Sequence, residues 1–139
     1  MAFETSAAAL AFLVGRLLFG GVLAFMGLNH FQQREEMAGY AEFKGVPAPN
    51  VMVPLTGVVL VLGGLSVIVG AYVAVGAVLL AAFLLASAVL MHDFWAASGE
   101  DQQTEMTQFL KNVALAGGAL ALVAVAGSNW PYALGYGLF

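Results

Sequence analysis

The stretch at residues 46–92, VPAPNVMVPLTGVVLVLGGLSVIVGAYVAVGAVLLAAFLLASAVLMH, runs for 47 residues without one charged side chain. A helix crossing the bilayer hydrocarbon needs about 20 apolar residues, so this run is too long for one span and suits two. Gly70-Ala71-Tyr72 divides it, since glycine allows a tight reversal and tyrosine favours the membrane surface. Working outward, residues 5–29 hold a single charge, Arg16, and residues 113–127 are apolar after Lys111-Asn112. The pattern predicts an all-α polytopic membrane protein. It is a four-transmembrane-helix bundle forming one domain over 1–139, with spans near 6–29, 51–69, 73–94 and 108–127.

Composition agrees. Of 139 residues, 62% are hydrophobic and 9% charged, whereas soluble domains carry roughly a quarter charged residues. A net charge of −4 with four Lys/Arg in all leaves no basic patch for a phosphate backbone, which argues against nucleic-acid binding. The absence of cysteine removes disulfides, Fe–S clusters, Cys-ligated zinc and thiol nucleophiles. No nucleophilic triad, phosphate-binding glycine loop or zinc motif is present, so no catalytic activity of the chain's own is expected. Met1-Ala2-Phe3-Glu4 is acidic and the apolar run behind it long, so the first span reads as a membrane helix rather than a cleaved signal peptide.

Arg34 and Lys44 lie in loop 30–50 and Lys111 in loop 95–111, while the termini and the 70–72 turn carry no Lys or Arg. Positive loops stay inside, which predicts both long loops inside and both termini outside. Phe31, Tyr40, Phe43, Phe94 and Trp95 would form the inner aromatic belt, and Tyr72, Trp130, Tyr132, Tyr136 and Phe139 the outer one. Pro131 should keep the fourth span from continuing. In loop 30–50, Phe31, Met37, Tyr40 and Phe43 recur at near-helical spacing, which predicts a short interfacial helix ended by Gly45-Val46-Pro47-Ala48-Pro49.

Helix packing in lipid relies on small residues that let backbones approach. Candidate pairs are Gly20 with Ala24, Ala77 with Ala81, Ala82 with Ala86, Ala114 with Gly118, and Gly117 with Ala121. Gly63-Gly64 and Gly117-Gly118 mark expected close crossings. Thr56, Ser66 and Ser87 are too few to line a wide aqueous pore.

Two sets of polar residues stand out. Arg16 lies about ten residues into the first span, which at 1.5 Å per residue predicts a mid-bilayer position. A central arginine costs about 2.5–3.5 kcal/mol on insertion scales, yet no Asp or Glu lies in 5–34 or 43–92 to offset it. The choices are helix carbonyls, a hydroxyl, snorkelling, a bound anion or lipid, or another subunit. The second set follows from topology: spans one and three run the same way. Asn29, His30, His92, Asp93, Lys111 and Asn112 should therefore converge at the inner boundary, beside Trp95. This set reads as simple helix-end capping or as a quinone headgroup site flanked by Phe94 and Trp95. Bis-histidine haem ligation by His30 and His92 is less favoured, and sequence spacing establishes no metal site.

The ordered motifs resemble the DoxX family of small bacterial and archaeal membrane proteins. They are Gly15-Arg16-Leu17-Leu18-Phe19-Gly20, Gly27-Leu28-Asn29-His30-Phe31, the loop run from Tyr40 through Gly45 to Pro49, Leu62-Gly63-Gly64-Leu65, and the run from Phe109 to Gly118. The resemblance implies a four-helix bundle in a bacterial or archaeal cell membrane, near respiratory redox chemistry, since the family takes its name from a quinone-linked oxidase and thiosulfate oxidation system. Some members are similar to subunits of complexes with superoxide dismutase and a sulfurtransferase. Many relatives carry a Glu just before the Gly-Gly of span two, where this chain reads Val59-Leu60-Val61-Leu62, so Arg16 lacks that partner. The expected function is a membrane subunit of a quinone-linked redox complex, binding a quinone, lipid or partner subunit, with a homo-oligomer also open. A small-solute or lipid transporter and a purely structural assembly subunit are the alternatives.

Overall fold

The computed structural model describes residues 3–137. Helix α1 spans Ser6–Gln32, and the Thr5 hydroxyl caps it by accepting the Ala8 N–H at 3.0 Å. After a break at Gln33 comes the short α2, Arg34–Phe43, closed by Gly45 at φ +82°. Pro49 opens α3, Pro49–Val69, in the first turn, where its missing N–H is not needed. Helix α4 covers Val73–Met91, a single 3₁₀ turn covers Phe94–Ala96, and α5 runs over Gly99–Ala124. The 4 long helices are apolar and long enough to cross a membrane, and no strand occurs among the described residues. The chain is an all-helical four-span bundle. Helix α5 starts nine residues ahead of the apolar span expected at 108, because its first turns are polar helix.

The reversal between α3 and α4 falls on Gly70-Ala71-Tyr72. Gly70 and Tyr72 both take left-handed backbone angles, φ +70° and +54°. Left-handed backbone costs a non-glycine residue roughly 1–2 kcal/mol. At Tyr72 it is held from outside, by its N–H donating to the Tyr136 carbonyl at 2.6 Å. The Ser66 hydroxyl donates to Ala71 O at 2.6 Å and ties the turn to the helix it leaves.

Glycines set the closest approach. Gly20 and Gly27 of α1, seven residues apart, face Gly64 and Gly57 of α3, also seven apart. A Cβ on Gly20 or Gly64 would run into the other's carbonyl oxygen, and one on Gly27 would come within 2.7 Å of Gly57 O. A seven-residue repeat keeps one seam facing its partner over two antiparallel helices. The neighbouring Gly63 points elsewhere: a Cβ there would meet Leu80 of α4 at 2.7 Å, while one on Gly76 would meet the Ser66 Oγ at 2.6 Å. Adjacent glycines thus serve two different interfaces of α3. Each is needed bare.

The close crossing expected at Gly117-Gly118 does not form. A Cβ on Gly117 meets nothing within 4 Å, and one on Gly118 meets only the Phe19 ring at 3.5 Å. Between α1 and α5 the gap is filled by side chains instead. Leu23, Leu60, Leu80, Leu84, Ala116 and Ala119 form the buried centre, with Phe19, Met26 and Phe83 packed around it. Ala77 and Ala81 are buried as expected, whereas Ala82 and Ala86 face outward. Helix α2 folds back onto α3, burying Ala38 and Ala41 against Val53, with Met37, Val46 and Met91 around them. Its Tyr40 and Phe43 are exposed.

Candidate functional site

The ion pairs and the Arg16 contacts lie at the two ends of the bundle. At the end carrying α2, Lys44 reaches across to the start of the α4–α5 connection. Its Nζ lies 2.5 Å from Asp93 Oδ1 and 3.6 Å from Glu105 Oε2. Tyr40, one helical turn before Lys44, donates its hydroxyl to Glu105 Oε1 at 3.3 Å and lies under the Lys44 ammonium at 5.5 Å. His92 Nδ1 stands 3.5 Å from Glu105 Oε2. Both of these atoms are buried, and neither has a hydrogen-bond partner among the described residues. Next to this cluster Phe94, Trp95 and Phe109 pack edge to face, their centroids 5.3–5.8 Å apart. Trp95 is 56% exposed, so this aromatic group is open to the surroundings.

The remaining expected residues divide. Asp93 and Trp95 join His92 at this end. His30 does not: its Nδ1 pairs with Met26 O at 2.9 Å and its ring packs 6.0 Å from Phe83. Phe83 lies nine residues before His92, roughly 13 Å along α4 at 1.5 Å per residue. No group of three His, Cys, Asp or Glu side chains is placed to hold a metal ion among the described residues. Asn29 is half-buried and accepts the Gln33 N–H on its backbone carbonyl, Lys111 bonds Gln108 at 2.8 Å on an exposed face, and Asn112 is buried at 3% exposure. Tyr40, Lys44 and Glu105 enter the cluster without having been singled out as site residues. The i, i+4 spacing of Tyr40 and Lys44 was the available signal, since it puts both on one helical face.

Arg16 sits at the other end and is 1% exposed. Its Nε donates to Val67 O at 3.1 Å and its Nη2 to Ile68 O at 2.5 Å, both carbonyls of the last turn of α3. Nη1 donates to Pro131 O at 2.6 Å and Nη2 also to Tyr132 O at 3.1 Å, both in the tail. The rings of Phe12 and Trp130 lie 5.7 and 5.3 Å from the guanidinium carbon. Of the offsets open to Arg16, backbone carbonyls are the ones found, two in the last turn of α3 and two in the tail. The α3 pair lies at a helix C-terminus, where the dipole also favours a cation. The tail is further pinned by Leu134 N–H to Val69 O at 2.8 Å and Gly135 N–H to Gly70 O at 3.0 Å. Phe139, expected in the outer belt, lies outside the described residues.

Electrostatics give the α2 end a pH signature. The hydrogen bond to Asp93 raises the Lys44 ammonium above its ordinary value of 10.5, and burial with Glu105 nearby raises the Tyr40 phenol above 10.0. A raised folded value means that Lys44 contributes its full stabilisation below 10.5 and loses it as pH climbs through the folded value. Amide exchange of α2 should therefore be flat from neutral pH to about 10, beyond the expected base-catalysed trend, and accelerate above it. In Lys44→Met the extra alkaline step should shrink, and in Lys44→Met with Tyr40→Phe it should vanish.

The fold and these two ends define a small multi-pass integral membrane protein. A family model described as DoxX matches residues 11–93, more than half of the chain, and the chain belongs to the DoxX family. The match takes in Arg16, His30, Lys44 and Asp93, and stops short of Glu105 and the tail. Comparison with curated proteins and with solved structures gives no match.

Proposed function

We propose that this chain is a non-catalytic membrane subunit of a quinone-linked redox complex, and that it meets the quinone headgroup at the α2 end. The reading places it in a bacterial or archaeal cell membrane with the α2 end inside and both termini outside, in line with Arg34, Lys44 and Lys111 all lying toward that side. One observation carries it. His92 Nδ1 and Glu105 Oε2 are buried, 3.5 Å apart and without hydrogen-bond partners, beside an open aromatic group. Buried polar atoms without partners are costly and call for a ligand, water or proton to satisfy them. A quinone carbonyl accepts from an imidazole N–H while its ring packs on Trp95, and its long apolar tail belongs in the bilayer. Reduction of the carbonyl takes up protons as well as electrons. Electrons and the catalytic groups would come from a partner redox subunit, while His92 would hold the quinone carbonyl.

The test uses Trp130→Phe, which leaves Trp95 as the sole tryptophan of the 2 in the chain. A short-chain quinone titrated into the protein in detergent should quench Trp95 saturably, and His92→Ala should weaken that binding about tenfold. Quenching that never saturates, or that His92→Ala leaves unchanged, would leave a structural subunit whose polar residues only cap helices.

A further inference from the structure

At the end opposite the α2 cluster, a cleft of about 320 Å³ opens between the tail and the first turn of α4. Tyr72, Ser128, Asn129, Trp130 and Tyr136 line it, together with glycines and small aliphatic residues. Among the described residues that line it there is no Lys, Arg, His, Asp or Glu. The volume is at the lower end of small-molecule sites, which run from about 300 Å³ upward.

The cleft is built rather than incidental. Arg16 clamps the tail at Pro131 and Tyr132, and backbone hydrogen bonds of Leu134 and Gly135 hold it against Val69 and Gly70. Tyr72 N–H fixes the Tyr136 carbonyl, and Trp130 Nε1 donates to Val125 O at 2.8 Å. The side-chain hydroxyls of Tyr72, Ser128 and Tyr136 and the amide of Asn129 make no hydrogen bond among the described residues. Each is a donor and an acceptor. With α4 lacking a side-chain cap at its start, the first-turn N–H groups of Val73, Ala74 and Val75 add donors to the same wall.

Aromatic faces combined with neutral groups that both donate and accept, and no lining charge, suit a ring that carries many hydroxyls. A charged headgroup would lack a counter-charge among the lining side chains, and an acyl chain would leave these polar groups unpaired. We propose that this cleft binds an uncharged sugar ring, presented as the headgroup of a glycolipid in the leaflet on the terminal side. The aromatic side chains at this end belong at the depth where such headgroups lie. The site is separate from the α2 cluster and does not depend on the quinone reading.

The test places Trp95→Phe protein, with Trp130 as its only tryptophan, in phosphatidylcholine nanodiscs. Three further samples add monoglucosyl diacylglycerol, phosphatidylglycerol, or free glucose in the buffer. The glycolipid should shift Trp130 emission to the blue and slow amide exchange at residues 73–75, and phosphatidylglycerol should do neither. A response to glycolipid alone assigns the membrane lipid as the source, and a matching response to free glucose assigns a soluble sugar. Tyr136→Phe, which keeps the backbone bond to Tyr72, and Asn129→Ala should each weaken the response about tenfold. No response to glycolipid, an equal response to phosphatidylglycerol, or full binding by both variants would overturn the proposal.

Discussion

Gly64→Val is expected to dissociate α1 from α3 and to give protein that is not recovered folded from detergent. A Cβ at this position would enter the Gly20 carbonyl oxygen and approach the Ala24 backbone nitrogen at 2.9 Å. Backbone cannot move aside as a flexible side chain can, so the cost should exceed the 1–3 kcal/mol typical of overpacking, at about 3 kcal/mol or more. Gly117→Val supplies the control, since nothing lies within 4 Å of a Cβ there. Both substitutions add the same β-branched group to a helical glycine, so propensity is matched and only the contact differs. Equilibrium unfolding in mixed detergent micelles should show Gly64→Val destabilised and Gly117→Val close to the parent. Equal destabilisation of the two would refute the seam.

The second large effect belongs to Arg16→Leu. This change removes the donor to four carbonyls, two on α3 and two on the tail. Hydrogen bonds to charged groups contribute about 1.5–3 kcal/mol each in soluble proteins, and polar contacts in membranes average nearer 0.6. Their combined loss here is about 3 kcal/mol, because water at a helix end takes up part of the deficit. The tail should open about a hundredfold more often, seen as faster amide exchange at Leu134, Gly135 and Tyr72, whose N–H groups make the backbone bonds of the strap. Arg16→Lys should rescue little, since a single ammonium cannot bridge two segments as the guanidinium fork does. Unchanged exchange in Arg16→Leu would mean that the backbone bonds hold the tail alone.

The span count, the 70–72 reversal and the short helix in the first loop were legible because hydropathy and periodicity are local properties. Depth and pairing were not. Arg16 reads as mid-bilayer when residues are counted from the start of α1, but α1 overhangs α3 by nearly three turns. Ten residues in, it has only reached the last turn of its neighbour. Length measures a helix; stagger is set by what it packs against. Gly63-Gly64 and Gly117-Gly118 look alike in sequence, yet only the first pair meets backbones, because Gly117 lies on an exposed face and Gly118 meets only the Phe19 ring. The Lys44–Asp93 contact joins residues 49 positions apart through the docking of α2 on α3, which no local pattern announces. His30 was the nearer miss. It stands three residues after Gly27, on the same seam, and its Cβ side faces Gly57.

These placements change where function is to be sought. The buried arginine is a structural clamp bonded to four backbone carbonyls, while the buried atoms without a hydrogen-bond partner among the described residues belong to His92 and Glu105. A quinone carrying a photoreactive group on its ring, irradiated with the protein in native lipid and mapped by peptide, would show whether the α2 end meets the headgroup. Labelling is expected within residues 92–109, centred on Trp95 and Phe109 and suppressed by excess unlabelled quinone. Labelling spread over the lipid-facing surface of α1, or labelling that unlabelled quinone does not suppress, would contradict it.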